Sequence, residues 1–277
     1  MTERVSRCRR FEHFPRLEGL SNELFPSHLA IIPDGNRRWA KTHKLSALKG
    51  HDNGRRKVSE LTRHLKELPI NILTFWAFSS DNWHRDPREV EGLMKIINAG
   101  LMENRDELIN DNSRFIHVGR KDRIPEDLRQ TLEDLEEDSR ANSGRIIVMA
   151  IDFGGVDQSV RMLQDYMETA VREFSEQQDS DLNGESSLPL KADIFVAKKR
   201  NELTTENIKE LYDGQGLISP ADLLIRTSGE LRTSDVGWLN GKNTELYFTD
   251  THFPEITDRN IEDGILDFSR RKRRMGK

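Results

Sequence analysis

Short apolar runs that stop at polar turns alternate along this chain with longer segments whose apolar residues recur every three or four positions. The first run, residues 29–32, is β-prone and of strand length, and it ends abruptly at Asp34-Gly35-Asn36, which is turn chemistry. From Arg38 a helix-compatible pattern resumes. Val58, Leu61, Leu65 and Leu68 then lie at helical spacing among charges, which predicts an amphipathic helix over 54–68. Residues 71–78, β-branched and aromatic, predict a second strand running into Ser79-Ser80-Asp81-Asn82. Pro87 opens a helix with Val90, Leu93, Met94, Ile97 and Leu101 on one face. A third strand is predicted over 114–118, and Pro125 with Glu126 and Asp127 starts a helix that buries Leu128, Leu132 and Leu135. The fourth strand, 146–151, ends at Asp152-Phe153-Gly154-Gly155, and its helix runs from Val160 through Leu163, Met167, Val171 and Phe174. Strands over 221–225 and 245–249 and a helix over 261–268 complete the pattern.

Such alternation predicts an α/β fold: a single domain with a central, mostly parallel, six-stranded sheet flanked by helices. The 277 residues are enough for a sizeable core, and no internal repeat is present. Residues 176–190 are polar and rich in Gly and Ser, which reads as a flexible surface insertion within the domain 26–277. The arm over 1–25 carries Arg4, Arg7, Arg9 and Arg10 ahead of Phe11 and Phe14, and is expected to fray or to touch an anionic bilayer.

A net charge of −5 with one third of residues charged describes a soluble surface without the basic excess of a nucleic-acid binder. The basic tail from Arg270 to Lys277 is too local to reverse this. A lone Cys8 supplies neither an intrachain disulfide nor a thiolate metal cage, consistent with a reducing compartment. No apolar run approaches the ~20 residues of a membrane span, so a cytoplasmic location is expected.

Chemistry collects where strands end. Asp34, Asn36, Arg37 and Arg38 follow the first strand, Ser79, Asn82 and Arg85 the second, and Arg226, Arg232 and Ser234 the fifth. Parallel strands set these ends on one rim, where ligands of open α/β sheets bind and where a helix start offers N–H groups to an anion. Arginine forks match diphosphate oxygens, and Asp34 with Glu245 offers two carboxylates to a divalent ion that shares its ligands with phosphates and water. Each element also has a plain structural reading: Arg85 and Glu89 as an i,i+4 pair, Ser79 as a cap, Glu245 as a solvated carboxylate. His28, His43 and His51 are too scattered for a zinc motif. Neither a Gly-x-x-x-x-Gly-Lys-Ser/Thr loop nor a Gly-x-Gly-x-x-Gly fingerprint occurs, which disfavours a common ATPase or dehydrogenase.

Five strings in order resemble the cis-prenyltransferases, the undecaprenyl or polyprenyl diphosphate synthases. They are His28-Leu-Ala-Ile-Ile-Pro-Asp-Gly-Asn-Arg-Arg-Trp-Ala with Gly50-His51 and Gly54; Phe78-Ser-Ser-Asp-Asn-Trp-His-Arg85 with Glu89-Val90; Asp152-Phe-Gly-Gly, similar to an Asn-Tyr-Gly-Gly segment; Asp222-Leu-Leu-Ile-Arg-Thr-Ser-Gly-Glu-Leu-Arg-Thr-Ser234; and Glu245-Leu-Tyr-Phe. The resemblance implies a homodimer that condenses isopentenyl diphosphate onto an allylic primer, farnesyl or geranylgeranyl diphosphate, with Mg²⁺. The product implied is a long-chain polyprenyl diphosphate such as undecaprenyl diphosphate, a glycosyl carrier lipid precursor. Peripheral membrane contact would come through that product, at the inner face of the membrane. By the same analogy Asp34 is the central catalytic residue and a metal ligand, and Asn82 stands where proton removal is often assigned. Gly35, Asn36, Arg37, Arg38, Trp39 and His51 would surround the allylic diphosphate, while Ser79, Ser80, Asp81, Trp83 and Arg85 line the reacting region. Arg226, Arg232, Thr233 and Ser234 would hold isopentenyl diphosphate, and Glu245 would complete the metal site, from this chain or its neighbour. The apolar helix faces from Val58 and Val90, floored by residues 146–149, would line a product tunnel; core packing explains the same faces.

Ala47 falls where many members carry an arginine, Leu231 replaces a histidine, and Asp152, Phe153 and Val156 alter the Asn-Tyr-Gly-Gly-Arg segment. A noncatalytic partner subunit is the competing reading; such relatives have lost the first-motif acid, which this chain keeps as Asp34. An amide is a poor base, so Asn82 is expected to orient substrate while a phosphate oxygen or Asp34 takes the proton.

Overall fold

The computed structural model describes residues 11–180, 188–204, 208–214 and 216–273. Arg4, Arg7, Cys8, Arg9 and Arg10, part of the polar 176–190 segment and the end of the basic tail lie outside them. The described residues fall into two compact units, one ending at Gly154 and resuming at Ser219, the other Gly155–Ile218.

The first unit is built on strand-turn-helix repeats. Strand β1 (His28–Ile32) is buried at every position, as a strand with parallel neighbours on both sides must be. Helix α1 (Asn36–Thr42) and helix α2 (Ala47–His64) follow; Ser46 starts α2 by accepting from the Lys49 N–H at 3.3 Å. After β2 (Ile72–Ser79), helix α3 (Pro87–Asn110) begins with Pro87 at its first position and the Asp86 carboxylate accepting from the Arg88 N–H at 2.8 Å. Strand β3 (Arg114–Val118), helix α4 (Glu126–Asp138) and strand β4 (Ile146–Phe153) come next, β4 running two residues past its predicted end.

The second unit holds helix α5 (Gly155–Ser180) and helix α6 (Leu188–Glu202). Helix α5 carries the chain through the start of the segment expected to be a flexible insertion, because Glu176 and Gln177 are good helix formers despite their polarity. No prediction anticipated α6. Within this unit the Phe174 and Phe195 rings pack at 5.2 Å, the Tyr166 hydroxyl donates to the Lys199 carbonyl at 2.7 Å, and Arg161 forks onto Asp213.

The chain re-enters the first unit for β5 (Leu223–Arg226), β6 (Glu245–Phe248) and helix α7 (Asp258–Arg270). All five strand pairs are parallel, in the order β3-β4-β2-β1-β5-β6. The chain leaves β1 for β2 on one side and later returns to β5 on the other. The carboxyl ends of β1 and β5 therefore meet at a topological switch point.

The N-terminal arm does not fray within the described residues. Phe11, Phe14, Leu17 and Phe25 are buried in the main core, and the Arg16 N–H donates to the Glu262 carboxylate at 2.8 Å. Four large apolar side chains, each worth about 1.5–3 kcal/mol when buried, offset part of the entropy of ordering the segment. Among the described residues no helix is long and apolar enough to cross a membrane.

Candidate active site

Two residues past β1 stands Asp34, and Arg226 is the last residue of β5, paired in register with Ile32. The Arg226 Nη2 donates to Asp34 Oδ2 at 2.9 Å, while its Nη1 donates to the Arg232 carbonyl and the Ser234 hydroxyl, each at 2.7 Å. Arg226 thus ties the carboxylate to the loop 226–234. The other oxygen, Oδ1, accepts from the Gly35 N–H at 2.6 Å and from Arg38 Nη2 at 3.4 Å. Gly35 needs its residue type twice over: its φ is +98°, and a Cβ there would lie 2.3 Å from the Ser228 hydroxyl. Helix α1 has seven residues and carries Arg37 and Arg38 to the same rim.

The second corner is a carboxylate shared by cations. Glu89, on the first turn of α3, lies 3.4 Å from Arg37 Nε, 3.3 Å from His51 Nε2 and 3.8 Å from Arg85 Nη1. Burial pushes the His51 imidazole below its ordinary value against the pull of Glu89, so the ring is neutral near pH 7. Burial also lowers the Arg85 guanidinium from its usual value, with Glu89 opposing.

The turn after β2 forms the third side. Register shifts around Phe78 in the β2–β4 pairing re-aim the strand end. A capping box then fixes the turn: Ser79 Oγ accepts from the Asp81 N–H, and Asn82 Oδ1 accepts from the Ser79 N–H, both at 3.2 Å. The Asn82 carbonyl oxygen is thereby engaged within the turn itself.

Together Asp34, Gly35, Asn36, Arg37, Arg38, His51, Ser79, Asp81, Asn82, Arg85, Arg226, Arg232 and Ser234 line one cleft. Trp39, Ser80, Trp83 and Thr233 do not line it. The Trp39 ring leans on His43 at 4.4 Å, Ser80 abuts Gly154, and Trp83 packs edge-on against Phe78 at 5.2 Å. Glu245 is placed apart from Asp34 in this chain: it opens β6, paired with Leu223 rather than with the carboxyl-end residue Arg226, and Arg271 Nη1 donates to it at 2.6 Å. Strand register, invisible in the motif, sets this separation within one chain. Glu230, absent from the sequence-derived set, lines the cleft, takes an ion pair from Arg38 at 3.0 Å and pairs with Arg232. Its position inside the 222–234 string was the available signal. Glu89 read there as a helix ion pair and proves to organise three basic groups. Ala47 lines the cleft, whereas Leu231 is 77% exposed.

A second cavity, of about 130 Å³, lies beside this cleft between α2, α3 and the sheet. Val58, Leu93, Ile97 and Leu101 wall it from the helices and Ala77, Phe115, Ile147 and Met149 from the strands. Asn36 and His51 line both spaces, so the charged cleft and the apolar cavity are immediate neighbours. Helices α1 and α2 approach closely at this junction: a Cβ on Gly54 would lie 2.4 Å from the Asn36 amide oxygen.

The fold is an open parallel α/β sheet whose switch point presents an acid among arginines, with an apolar cavity beside it, the place where ligands of such sheets bind. Residues 32–276 match the prenyltransferase family model described as "Putative undecaprenyl diphosphate synthase". The isoprenyl transferase of Bacillus cereus is 32% identical over 96% of this chain and 93% of its own length, and that of Aquifex pyrophilus 34% identical over 91% and 96%. Among solved structures, lavandulyl diphosphate synthase from Lavandula x intermedia in complex with dimethylallyl diphosphate aligns with a TM-score of 0.73, 27% identity and coverage of 92% of this chain and 100% of that one. A protein from Campylobacter jejuni described as a probable undecaprenyl diphosphate synthase aligns with a TM-score of 0.66, 25% identity and coverage of 91% and 99%. The chain belongs to the cis-prenyltransferase family, and it is a prenyl-transferring enzyme of that type.

Proposed function

We propose that this enzyme condenses isopentenyl diphosphate onto an allylic primer, farnesyl or geranylgeranyl diphosphate, and repeats the step to make a long-chain polyprenyl diphosphate such as undecaprenyl diphosphate, a glycosyl carrier lipid precursor. The observation that carries this reading is the adjacency of the Asp34 cleft and the apolar cavity, which share Asn36 and His51 as wall residues. A diphosphate head held by arginines on one side of that junction leaves its isoprenoid tail on the other. Arg37, Arg38 and Arg85 suit the allylic diphosphate, and Arg226, Arg232 and Ser234 the isopentenyl diphosphate, since guanidinium forks match phosphate oxygens.

In the reaction the allylic C–O bond breaks, the isopentenyl double bond supplies the electrons of the new C–C bond, and a proton leaves to form the new cis double bond. The departing diphosphate gathers negative charge, which pre-set arginines stabilise in place of water. His51, neutral and buried, hydrogen-bonds without adding a cation. Asn82 orients the reacting segment, and the proton leaves to a diphosphate oxygen or to Asp34.

Mg²⁺ is implied by the family. Among the described residues no group of three or more His, Cys, Asp or Glu side chains is arranged to hold a metal, but Mg²⁺ commonly takes one or two carboxylates with phosphates and water, and Asp34 among diphosphate-binding arginines fits that habit. When bound it would neutralise charge on the leaving diphosphate. Within one chain Asp34 is the carboxylate for it; Glu245 would have to come from a second copy. A homodimer is supported by Val160, Leu163, Met167 and Val171, apolar residues exposed along α5. The enzyme would work in the cytoplasm, with peripheral contact at the membrane's inner face through its lipid product. Retention of Asp34, Arg226 and Arg232 in one cleft favours catalysis over a noncatalytic subunit.

The test is incubation with Mg²⁺, labelled isopentenyl diphosphate and, separately, geranyl, farnesyl and geranylgeranyl diphosphates, with products sized. A ladder of long products that vanishes in Asp34→Ala supports the reading. No product from any primer overturns it.

A further inference from the structure

Asp152 is an acid where the resembling segment has an amide, and it is buried with its side chain 0% exposed. Its backbone is left-handed, with φ at +51°, a conformation that Asn and Asp tolerate better than other side-chain-bearing residues. Both carboxylate oxygens face one guanidinium: Arg123 Nε donates to Oδ2 at 2.8 Å and Arg123 Nη2 donates to Oδ1 at 2.5 Å. The Arg123 guanidinium carbon in turn lies 6.0 Å from the centre of the Trp83 ring, within cation–π range. Trp83 meets Phe78 edge-on, its planes inclined by 73°, and its own indole N–H is buried without an acceptor. Its contacts are therefore the Phe78 ring and the Arg123 guanidinium.

Trp83 belongs to the short helical turn Ser80–His84, beside Asn82 and two residues before Arg85, both of which line the cleft. Asp152, Arg123, Trp83 and Phe78 thus form a strut from the end of β4 to the turn that presents these two side chains. We propose that Arg123 is a positioning residue: clamped by Asp152, it fixes the Trp83 ring and through it the orientation of Asn82 and Arg85 toward the reacting diphosphates. A guanidinium suits the role because one group forks onto a carboxylate with its edge and lies against an indole with its face.

For its catalytic consequence the proposal rests on the prenyl-transfer reading, so its test has one arm that needs no turnover. In Arg123→Gln and Asp152→Asn of the full chain, the Trp83 contribution to fluorescence is isolated by subtracting the spectrum of Trp83→Phe made in each background. Expected is a red shift and greater acrylamide quenching of Trp83 in both variants, read at a temperature where circular dichroism shows each still folded. An unmoved Trp83 signal in both overturns the strut even if the enzyme proves to have another substrate. In the kinetic arm, Arg123→Gln is expected to lower kcat about tenfold with KM for isopentenyl diphosphate changed less than twofold. Asp152→Asn, which keeps an acceptor and the left-handed backbone, is expected to lose about threefold. The double variant should be no worse than Arg123→Gln, as for two members of one contact. Additive losses, or an unchanged kcat in Arg123→Gln, overturn the positioning role.

Discussion

Arg226 holds Asp34 from 192 positions away in the sequence, its Nη2 donating to Oδ2 at 2.9 Å, with the guanidinium side chain 6% exposed and the carboxylate 29% exposed. The buried partner is the cation and the accessible partner the acid. Such an arrangement aims one carboxylate into the cleft while the arginine's Nη1 donates to the Arg232 carbonyl and the Ser234 hydroxyl.

Arg226→Lys should therefore be a severe change despite keeping the charge. A lysine ammonium has no planar fork to span the acid and the loop, so the 226–234 segment loses its tie to Asp34. Steady-state kinetics should show kcat/KM for isopentenyl diphosphate reduced roughly 100-fold, about 2.7 kcal/mol of transition-state stabilisation.

Glu89→Gln removes the charge that Arg37, Arg85 and His51 share. Two guanidinium groups are then left facing each other uncompensated, at a cost of about 1–3 kcal/mol in stability. Urea unfolding should register that loss, and the His51 imidazole, without the carboxylate charge that favours its protonated form, should titrate lower still by NMR.

His28 makes the stability of the first unit pH-dependent. Its Nδ1–H donates to the Ser219 carbonyl at 2.6 Å and Nε2 accepts from the Thr74 hydroxyl at 2.7 Å, a neutral tautomer, and burial pulls the imidazole down from 6.5 to about 4. As pH falls through this window the unfolded chain takes the proton first. Stability is intact above 6.5 and is lost progressively towards 4, by about 3 kcal/mol in all. Denaturant midpoints measured across that range should fall, and His28→Gln should flatten the slope.

Phe14→Ala tests whether the N-terminal arm belongs to the core. Phe14 is 0% exposed, so its truncation should cost about 3–5 kcal/mol, visible as a lower denaturant midpoint. A frayed arm would give no change.

The α/β class, the six strands and the helices that alternate with them were legible in period and punctuation. So was most of the cleft, because polar residues at the carboxyl ends of apolar runs have one rim to go to when strands are parallel. Strand ends were less clear: β4 continues into Asp152 and Phe153 because a buried acid with an arginine partner interrupts no ladder. Helix α6 carries no strong amphipathic signature and went unforeseen.

What the chain determined by itself is local: where apolar periodicity starts and stops, which turns need glycine, and which side chains carry charge. What only the tertiary structure decided is which of those charges meet. Strand register set Glu245 with Arg271 instead of Asp34, packing turned Trp83 onto Phe78 and under Arg123, and the core drew in Phe11 and Phe14 from an arm whose basic residues suggested a frayed end. Periodicity reports a residue's own environment, whereas pairing across the sheet depends on the free energy of the whole packed arrangement.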